Sequence, residues 1–220
     1  MYELILPMDE REDRHYYKEW LQLSLIDREC KKIGLHISGG LDSALMTFLT
    51  AKFIYDNNLS AKIVPIHGWD VKRKHSYSPN TVKNILNVLR PMFSTVQIDD
   101  VHLYAYDKLS GEKKSKYSTP LLRLLYREKI VDEFAYGSTR EPPIQDLKEM
   151  GIESIGRTAQ IRSGGPMGAY TKKDIAELYK KYNLMDNLFP VTVSCVMDEP
   201  SGACKECWWC KERYWAFGRY

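Results

Sequence analysis

Residues 32–53, KIGLHISGGLDSALMTFLTAKF, decide the fold of this chain of 220 residues. An apolar run, KIGLHIS, leads into two glycines, and a second apolar run follows them. In that second run the apolar side chains recur at helical spacing, at Leu41, Ala44, Leu45, Phe48, Leu49 and Phe53. The pattern predicts a β-strand, a tight turn through the glycines and an α-helix.

The rest of the chain repeats this alternation of strand and helix. Short apolar segments predict strands at residues 61–67, 94–98 and 131–136. Helical patterns follow Pro79, cover residues 121–130 and begin after Thr171, which is placed as an N-cap. Alternating elements of this kind predict an α/β fold with a mostly parallel sheet and helices on both faces. We interpret the polar residues 99–119 as a solvated loop without chemistry and residues 138–167 as irregular.

Composition sets the broad class of the protein. Hydrophobic residues make up 44% and charged residues 28%, and the formal net charge is +3. These values are typical of a globular protein, and the charge is too small to indicate a nucleic-acid surface by itself. We expect a single domain over residues 1–220. The chain lacks a run of about 20 apolar residues, and its N-terminus has acidic residues where a signal peptide would be basic and apolar, so we expect a cytoplasmic protein without a membrane partner.

The SGGLDS string at residues 38–43 is typical of an anion-binding turn. Its glycines let backbone N–H groups converge at a helix N-terminus, where the helix dipole favours phosphate. Ser38 and Ser43 add hydroxyl donors, and Asp42 beside polyphosphate indicates an intervening Mg²⁺. The string lacks the ending of a Walker loop and the third glycine of a dinucleotide fingerprint. The alternative is a plain strand-to-helix turn in which Asp42 and Ser43 help to cap the helix.

The same string resembles the loop of the PP-loop ATP pyrophosphatase superfamily without a mismatch. The resemblance implies a Rossmann-like (HUP, or adenine nucleotide alpha hydrolase-like) fold and cleavage of ATP between its α and β phosphates. AMP would then pass to a carbonyl or carboxylate oxygen, and a nitrogen or sulfur nucleophile would displace it. The implied nucleotide-binding residues are Ser38, Gly39, Gly40, Leu41, Asp42, Ser43, His67, Gly68 and Gly137. The implied catalytic residues are Asp42, Ser43 and Lys172.

Four of the five cysteines lie close together near the C-terminus, at Cys195, Cys204, Cys207 and Cys210. In a chain without an export signal this spacing favours a metal over disulfides. Two overlapping C-x-x-C pairs bring thiolates together, which suits tetrahedral Zn²⁺, and an iron–sulfur cluster is the competing occupant. Because four protein ligands leave no open position, we predict a structural zinc knuckle in a tail over residues 190–220. The fifth, Cys30, is interpreted as a small apolar side chain rather than a nucleophile.

The tail resembles the QueC-like 7-cyano-7-deazaguanine synthase family. Ser194 and Cys195 followed by C-x-x-C-x-x-C match its metal motif, and Arg213, Ala216 and Phe217 match its Arg-x-x-Ala-Phe ending. A Thr-Lys helix start that contains Lys172 is also similar to the family pattern. The resemblance implies ATP-dependent conversion of a deazapurine carboxylate, 7-carboxy-7-deazaguanine, and ammonia to an amide and then to a nitrile. Lys172 would face phosphate or substrate; the alternative is an exposed lysine in the first helical turn.

The middle of the chain departs from that family. Family members usually have Arg-Asn where this chain has residues 118–120, Asn-Ala-x-Asp where it has residues 137–141, and Tyr-Gly-Gln where it has residues 67–70. A tRNA base, a DNA base or a protein end therefore stays open as acceptor. Sulfonucleotide reduction and a nucleotide-binding module without turnover are two further alternatives. Tryptophans 208, 209 and 215 fit either a homodimer contact or packing around the zinc knuckle.

Overall fold

Five parallel strands form the sheet in the computed structural model, which describes residues 16–75, 78–107, 115–152 and 165–220. The strand order is β3-β2-β1-β5, and β4 also pairs with β2. Every pair is parallel, as the alternation of strands and helices predicts. The strands are β1 Lys32–His36, β2 Lys62–Asp70, β3 Gln97–Ile98, β4 His102–Tyr106 and β5 Glu133–Tyr136.

One edge of the sheet is interrupted by a bulge. Strands β3 and β4 both pair with β2, in the registers Ile63–Ile98 and Ile66–His102. Between these pairs β2 has two residues, 64 and 65, and the edge has three, 99 to 101. Pro65 lies in this interval and has no N–H to donate. A proline inside a strand is tolerated where regular pairing lapses, which is the case here.

Helices cover both faces of the sheet, as predicted. Ile33, Leu35 and Ile63 point into a large core that also contains side chains of helices α1, α2, α3 and α6. On the other face, Val64 and Ile66 pack with Leu125 of α4 in a smaller core. The helices are α1 Tyr16–Leu21, α2 Leu41–Asp56, α3 Pro79–Met92, α4 Ser115–Arg127, α5 Ile144–Glu149, α6 Lys172–Lys181 and α7 Trp208–Phe217. A π-helical turn, Gln22–Asp27, continues α1, and a 3₁₀ turn covers Phe189–Val191.

Local signals placed the best-predicted boundaries. Thr171 is the N-cap of α6: its side chain accepts from Asp174 N, and the Asp174 carboxylate accepts from Thr171 N. Strands β3 and β5 are shorter than predicted.

None of the described helices is long and apolar enough to span a membrane. Residues 1–15 lie outside the described part of the chain, so the interpretation of residues 1–220 as one domain stays a prediction.

Two segments interpreted as loops contain regular structure. The loop assignment of residues 99–119 is wrong, because β4 and the start of α4 lie within it. In β4 the polar and aromatic residues of HLYAY complete the sheet edge beside β2, whereas the lysine-rich residues 108–114 lie outside the described residues. Residues 138–167 contain α5, and residues 153–164 are likewise not described.

Candidate active site

The SGGLDS loop joins β1 to α2 and is held together by its own serines. Gly39 has a φ of +91°, a conformation that favours glycine. Ser43 Oγ accepts from Ser38 N at 3.2 Å and donates to Gly40 O at 3.1 Å, and the two serine oxygens are 3.2 Å apart. Gly40 is the N-cap of α2 and supplies no side-chain cap. As at any helix start, the amides of the first turn have no intrahelical acceptor, and no side chain caps them here, a geometry that suits an anion.

Asp42 and Lys172 meet beside this loop. Lys172 Nζ is 2.6 Å from each carboxylate oxygen of Asp42, and Thr139 Oγ1 donates to Asp42 Oδ2 at 3.2 Å. Lys172 is only 7% exposed, so the interpretation as an exposed first-turn lysine is wrong. Burial alone would lower the pKa of Lys172, but the carboxylates of Asp42 and Glu212 outweigh it and raise that pKa. The ammonium is therefore charged at neutral pH.

Glu212 is a site residue that the sequence interpretation missed. Its carboxylate is 6% exposed and lies 3.6 Å from Lys172 Nζ. Burial raises the pKa of Glu212, and Lys172 opposes that shift. On helix α7, Trp208 and Trp209 precede Glu212 by four and three residues, so all three share one face. That spacing is the signal that could have linked Glu212 to the tryptophans.

A cavity of about 300 Å³ opens beside these charges. Its lining residues come from the SGGLDS loop, the segment after β5, α6 and α7. They are Asp42, Gly137, Ser138, Thr139, Arg140, Glu141, Lys172, Trp208, Trp209 and Glu212. The Nε atom of Arg140 is buried and finds no hydrogen-bond partner in the described chain. Trp209 is 43% exposed. The cavity thus combines Asp42 of the SGGLDS loop, opposite charges and flat aromatic walls, a combination found in ligand sites.

Packing explains two of the glycines predicted to bind nucleotide. A Cβ on Gly137 would lie 2.6 Å from the backbone oxygen of Asp42, so the end of β5 approaches α2 closely. A Cβ on Gly68 would lie 2.4 Å from the ring of Tyr104, which belongs to the unpredicted strand β4. The backbone contact at Gly137 favours glycine without any ligand, whereas the Tyr104 side chain can turn away from Gly68. Nucleotide contacts by Gly68 and Gly137 stay predictions.

His67 and Trp69 lie at the end of β2. His67 is completely buried, and its Nδ1 is 2.7 Å from Ile37 O, so it links β2 to the end of β1. Trp69 Nε1 donates to Arg73 O at 3.2 Å. Both residues therefore have structural contacts, and a contact of His67 with nucleotide stays a prediction.

The four tail cysteines converge as predicted. Their Sγ atoms all lie within 4.8 Å of one another, and those of Cys204 and Cys210 are 3.9 Å apart. Zn–S bonds of about 2.3 Å in a tetrahedron place two sulfurs about 3.8 Å apart, whereas an iron–sulfur cluster spreads its ligands over several iron atoms. The amides of Met197 and Cys204 donate to Cys195 Sγ, each at 3.4 Å. The donor set fits zinc held without an open position.

The thiol pKa values differ among the cysteines. The Cys207 amide donates to Cys204 Sγ at 3.3 Å and lowers the pKa of Cys204 to about 7, whereas burial raises the pKa of Cys195 and of Cys210. Cys30 packs against the margin of the large core, and burial raises its pKa. Cys30 is therefore a packing residue in this structure.

The tail also contacts the SGGLDS loop directly. Val193 N donates to Gly39 O at 2.9 Å. Arg213 of α7 is buried beneath this contact, and its guanidinium donates to Thr192 O and Phe189 O, both at 3.1 Å. The segment before the cysteines is therefore fixed between the loop and α7.

Comparisons with known proteins support the fold. No protein-family model and no curated protein matches the chain. Among solved structures it is similar to NMN synthetase from Francisella tularensis, with 13% identity over 97% of this chain and 88% of that chain and a TM-score of 0.50. It is also similar to the NH3-dependent NAD synthetase from Campylobacter jejuni (15% identity, 84% and 78% covered, TM-score 0.45) and the NAD+ synthetase from Burkholderia pseudomallei (14%, 97% and 86%, 0.37). The chain therefore has the α/β, HUP-like fold seen in NMN synthetase, with a four-cysteine cluster at its C-terminal end.

Proposed function

We propose that this protein is an ATP-dependent ligase that splits ATP between the α and β phosphates and transfers AMP to a substrate oxygen. The observation that carries the proposal is the position of Asp42 and Lys172 in one cavity beside the SGGLDS loop. The loop offers amides and hydroxyls to the departing pyrophosphate, and the ammonium offers the positive charge that the leaving group needs. NMN synthetase, a synthetase by name, shares this fold.

The loop residues, Asp42 and Lys172 have separate roles in this proposal. The amides of residues 39–43 and the hydroxyls of Ser38 and Ser43 hold the β and γ phosphates. Asp42 supplies oxygen ligands for Mg²⁺, which offsets the charge of the polyphosphate. Lys172 donates to phosphate oxygens as negative charge develops on them. Catalysis is then mainly positioning and electrostatic stabilisation.

The acceptor that we propose is 7-carboxy-7-deazaguanine, with ammonia as the nucleophile. Trp208 and Trp209 offer flat surfaces to a heterocycle, and Arg140, which lines the same cavity, offers the positive charge of its guanidinium to a carboxylate. The carboxylate attacks the α phosphate and releases pyrophosphate, and ammonia then displaces AMP to form the amide. In a second round the amide oxygen is adenylated and leaves with AMP, which forms the nitrile.

Incubation with Mg-ATP, ammonium and 7-carboxy-7-deazaguanine tests the proposal by pyrophosphate release and product mass. We expect pyrophosphate and the nitrile. Pyrophosphate release that requires RNA or a protein instead would assign the acceptor to that class. Nucleotide binding without pyrophosphate release with every acceptor would mean a binding module and overturn the proposal.

Two variants with matched controls locate the chemistry. Gly39→Ala forces alanine into a positive φ, which costs about 1–2 kcal/mol, and should lower pyrophosphate release at least about tenfold. Gly218→Ala has a similar φ of +69° with no atom near its Cβ and should retain activity. Arg140→Gln should raise the KM of the acceptor about tenfold with the KM of ATP unchanged, whereas the exposed Arg123→Gln should change neither.

A further inference from the structure

The Lys172 ammonium lies between two carboxylates from distant parts of the chain. Asp42 comes from the SGGLDS loop and Glu212 from the tail helix α7. Both Asp42 oxygens are 2.6 Å from Nζ, whereas the nearest Glu212 oxygen is 3.6 Å away. The side chains are 17% exposed for Asp42, 9% for Lys172 and 7% for Glu212. The closest pair is therefore Lys172 with Asp42, and Glu212 is a second, looser partner.

This arrangement conflicts with magnesium binding by Asp42. A Mg²⁺ ion takes carboxylate oxygens at about 2.0–2.1 Å, and an ammonium hydrogen-bonded to both oxygens occupies a lone pair on each and repels the cation. Binding of the ion by Asp42 should therefore weaken or break its pairing with Lys172. A buried ammonium that loses its partner is strongly destabilised unless another negative group takes over.

Glu212 is placed to be that group. Within the described part of the chain, Lys172 is the partner that we find for its carboxylate. Buried carboxylates do not as a rule stabilise a fold, so one that lies beside a buried lysine in a cavity indicates a task. Its position is also fixed, because Arg213 on the same helix is hydrogen-bonded to Thr192 and Phe189.

We propose that Glu212 is a positioning residue that holds the Lys172 ammonium in the cavity while Asp42 turns to the magnesium of Mg-ATP. This inference rests on the proposed function, because it assumes that Asp42 binds the metal. Lys172 moves towards Glu212 and the phosphate oxygens, and its charge stays compensated at every stage. Without Glu212, Lys172 remains committed to Asp42 and competes more strongly with Mg²⁺.

The test is nucleotide binding, which needs no turnover. The zinc-loaded full chain is titrated with α,β-methylene-ATP, an analogue that cannot release pyrophosphate, in a calorimeter at a series of Mg²⁺ concentrations. For Glu212→Gln we expect the Mg²⁺ concentration at half-maximal binding to rise about tenfold, the equivalent of one modest charge interaction. Glu212→Asp should recover part of this loss. The control Glu177→Gln, on the exposed face of α6, should behave like the wild type.

A double variant separates positioning from a structural role. In the Lys172→Met background, Glu212→Gln should change the Mg²⁺ requirement by less than about twofold, because the group it acts through is gone. An unchanged Mg²⁺ requirement in Glu212→Gln, or a full tenfold effect without Lys172, overturns the positioning role. Normal Mg²⁺-dependent binding without pyrophosphate release with any acceptor overturns the proposed function alone. A wild-type chain that never binds the analogue overturns both.

Discussion

Replacing Arg213 with lysine should weaken the attachment of the tail to the SGGLDS loop. Its Nη1 donates to Thr192 O, Thr192 Oγ1 and Ser194 Oγ at 3.1, 3.0 and 3.3 Å, and its Nη2 donates to Phe189 O at 3.1 Å. The guanidinium also lies 4.0 Å from the centre of the Phe189 ring. Burial lowers the pKa of Arg213 to about 10, so the group is still a cation at neutral pH.

The structure sets the size of the effect. A lysine keeps the charge but has no planar fork, and we expect it to lose two of the four hydrogen bonds. At about 1.5 kcal/mol for each bond to a charged group, the free energy of unfolding falls by about 3 kcal/mol. In a protein of this size, that corresponds to a Tm lower by about 6–12 °C. Binding of Mg-ATP should weaken as well, because Arg213 supports the segment that contacts Gly39.

Urea unfolding of the zinc-loaded protein measures this change, with the zinc content determined for each variant. Arg219→Lys is the matched control: its guanidinium lies 4.7 Å from the same Phe189 ring but is exposed, and we expect it to cost less than about 1 kcal/mol. The reasoning is refuted when Arg213→Lys unfolds within about 0.5 kcal/mol of the wild type, or when the control costs as much.

Three further predictions concern the metal, the close approach at β5 and acid stability. Elemental analysis should find one zinc per chain, and Cys207→Ser should lower the Tm and expose the tail to proteolysis; bound iron would contradict this. Gly137→Ala should cost about 1–3 kcal/mol in urea unfolding, because its Cβ meets the Asp42 backbone, and wild-type stability would show that the backbone yields freely. Burial opposes ionisation of Asp99, but hydrogen bonds, chiefly from Lys62, outweigh it and lower its pKa below 3.8. Ionised Asp99 therefore contributes its full stabilisation above about pH 5, and this contribution is lost as the pH falls through the pKa of the folded state. Asp99→Asn should make the free energy of unfolding depend less steeply on pH below about pH 4; an equally steep dependence in the variant and the wild type would contradict this.

Local sequence signals were sufficient to predict the conformation of the SGGLDS loop and the start of α6. The strand, turn and helix around Gly39 depend on apolar spacing and glycine conformation, and the cap at Thr171 depends on a residue three positions away. The convergence of the four thiolates was equally predictable, since overlapping C-x-x-C pairs bring sulfurs together. In each case the information lies within a few residues of the feature.

The missed features depend on tertiary contacts. Strand β4 was assigned to a loop because the lysines around it dominate its composition, and its stability comes from pairing with β2. Arg140 follows β5 and Glu212 lies in the tail, so only the folded chain brings them into one cavity. The Lys172–Asp42 pair likewise joins two helices that are distant in sequence. Sequence spacing identifies the members of such a site only when they share one element.

Helix α7 links the four-cysteine cluster to the candidate active site. Cys210 belongs to the cluster, and Arg213, three residues later, is hydrogen-bonded to the segment before it. Trp208 and Glu212, four residues apart on the same helix, line the cavity wall. No regular structure is seen between Val191 and Trp208, where zinc held by the four thiolates would supply the cross-links that a sheet or helix supplies elsewhere. We expect that removal of such a metal would release Glu212 and the contact of Val193 with Gly39 together, and would weaken binding of Mg-ATP as well as loosen the tail.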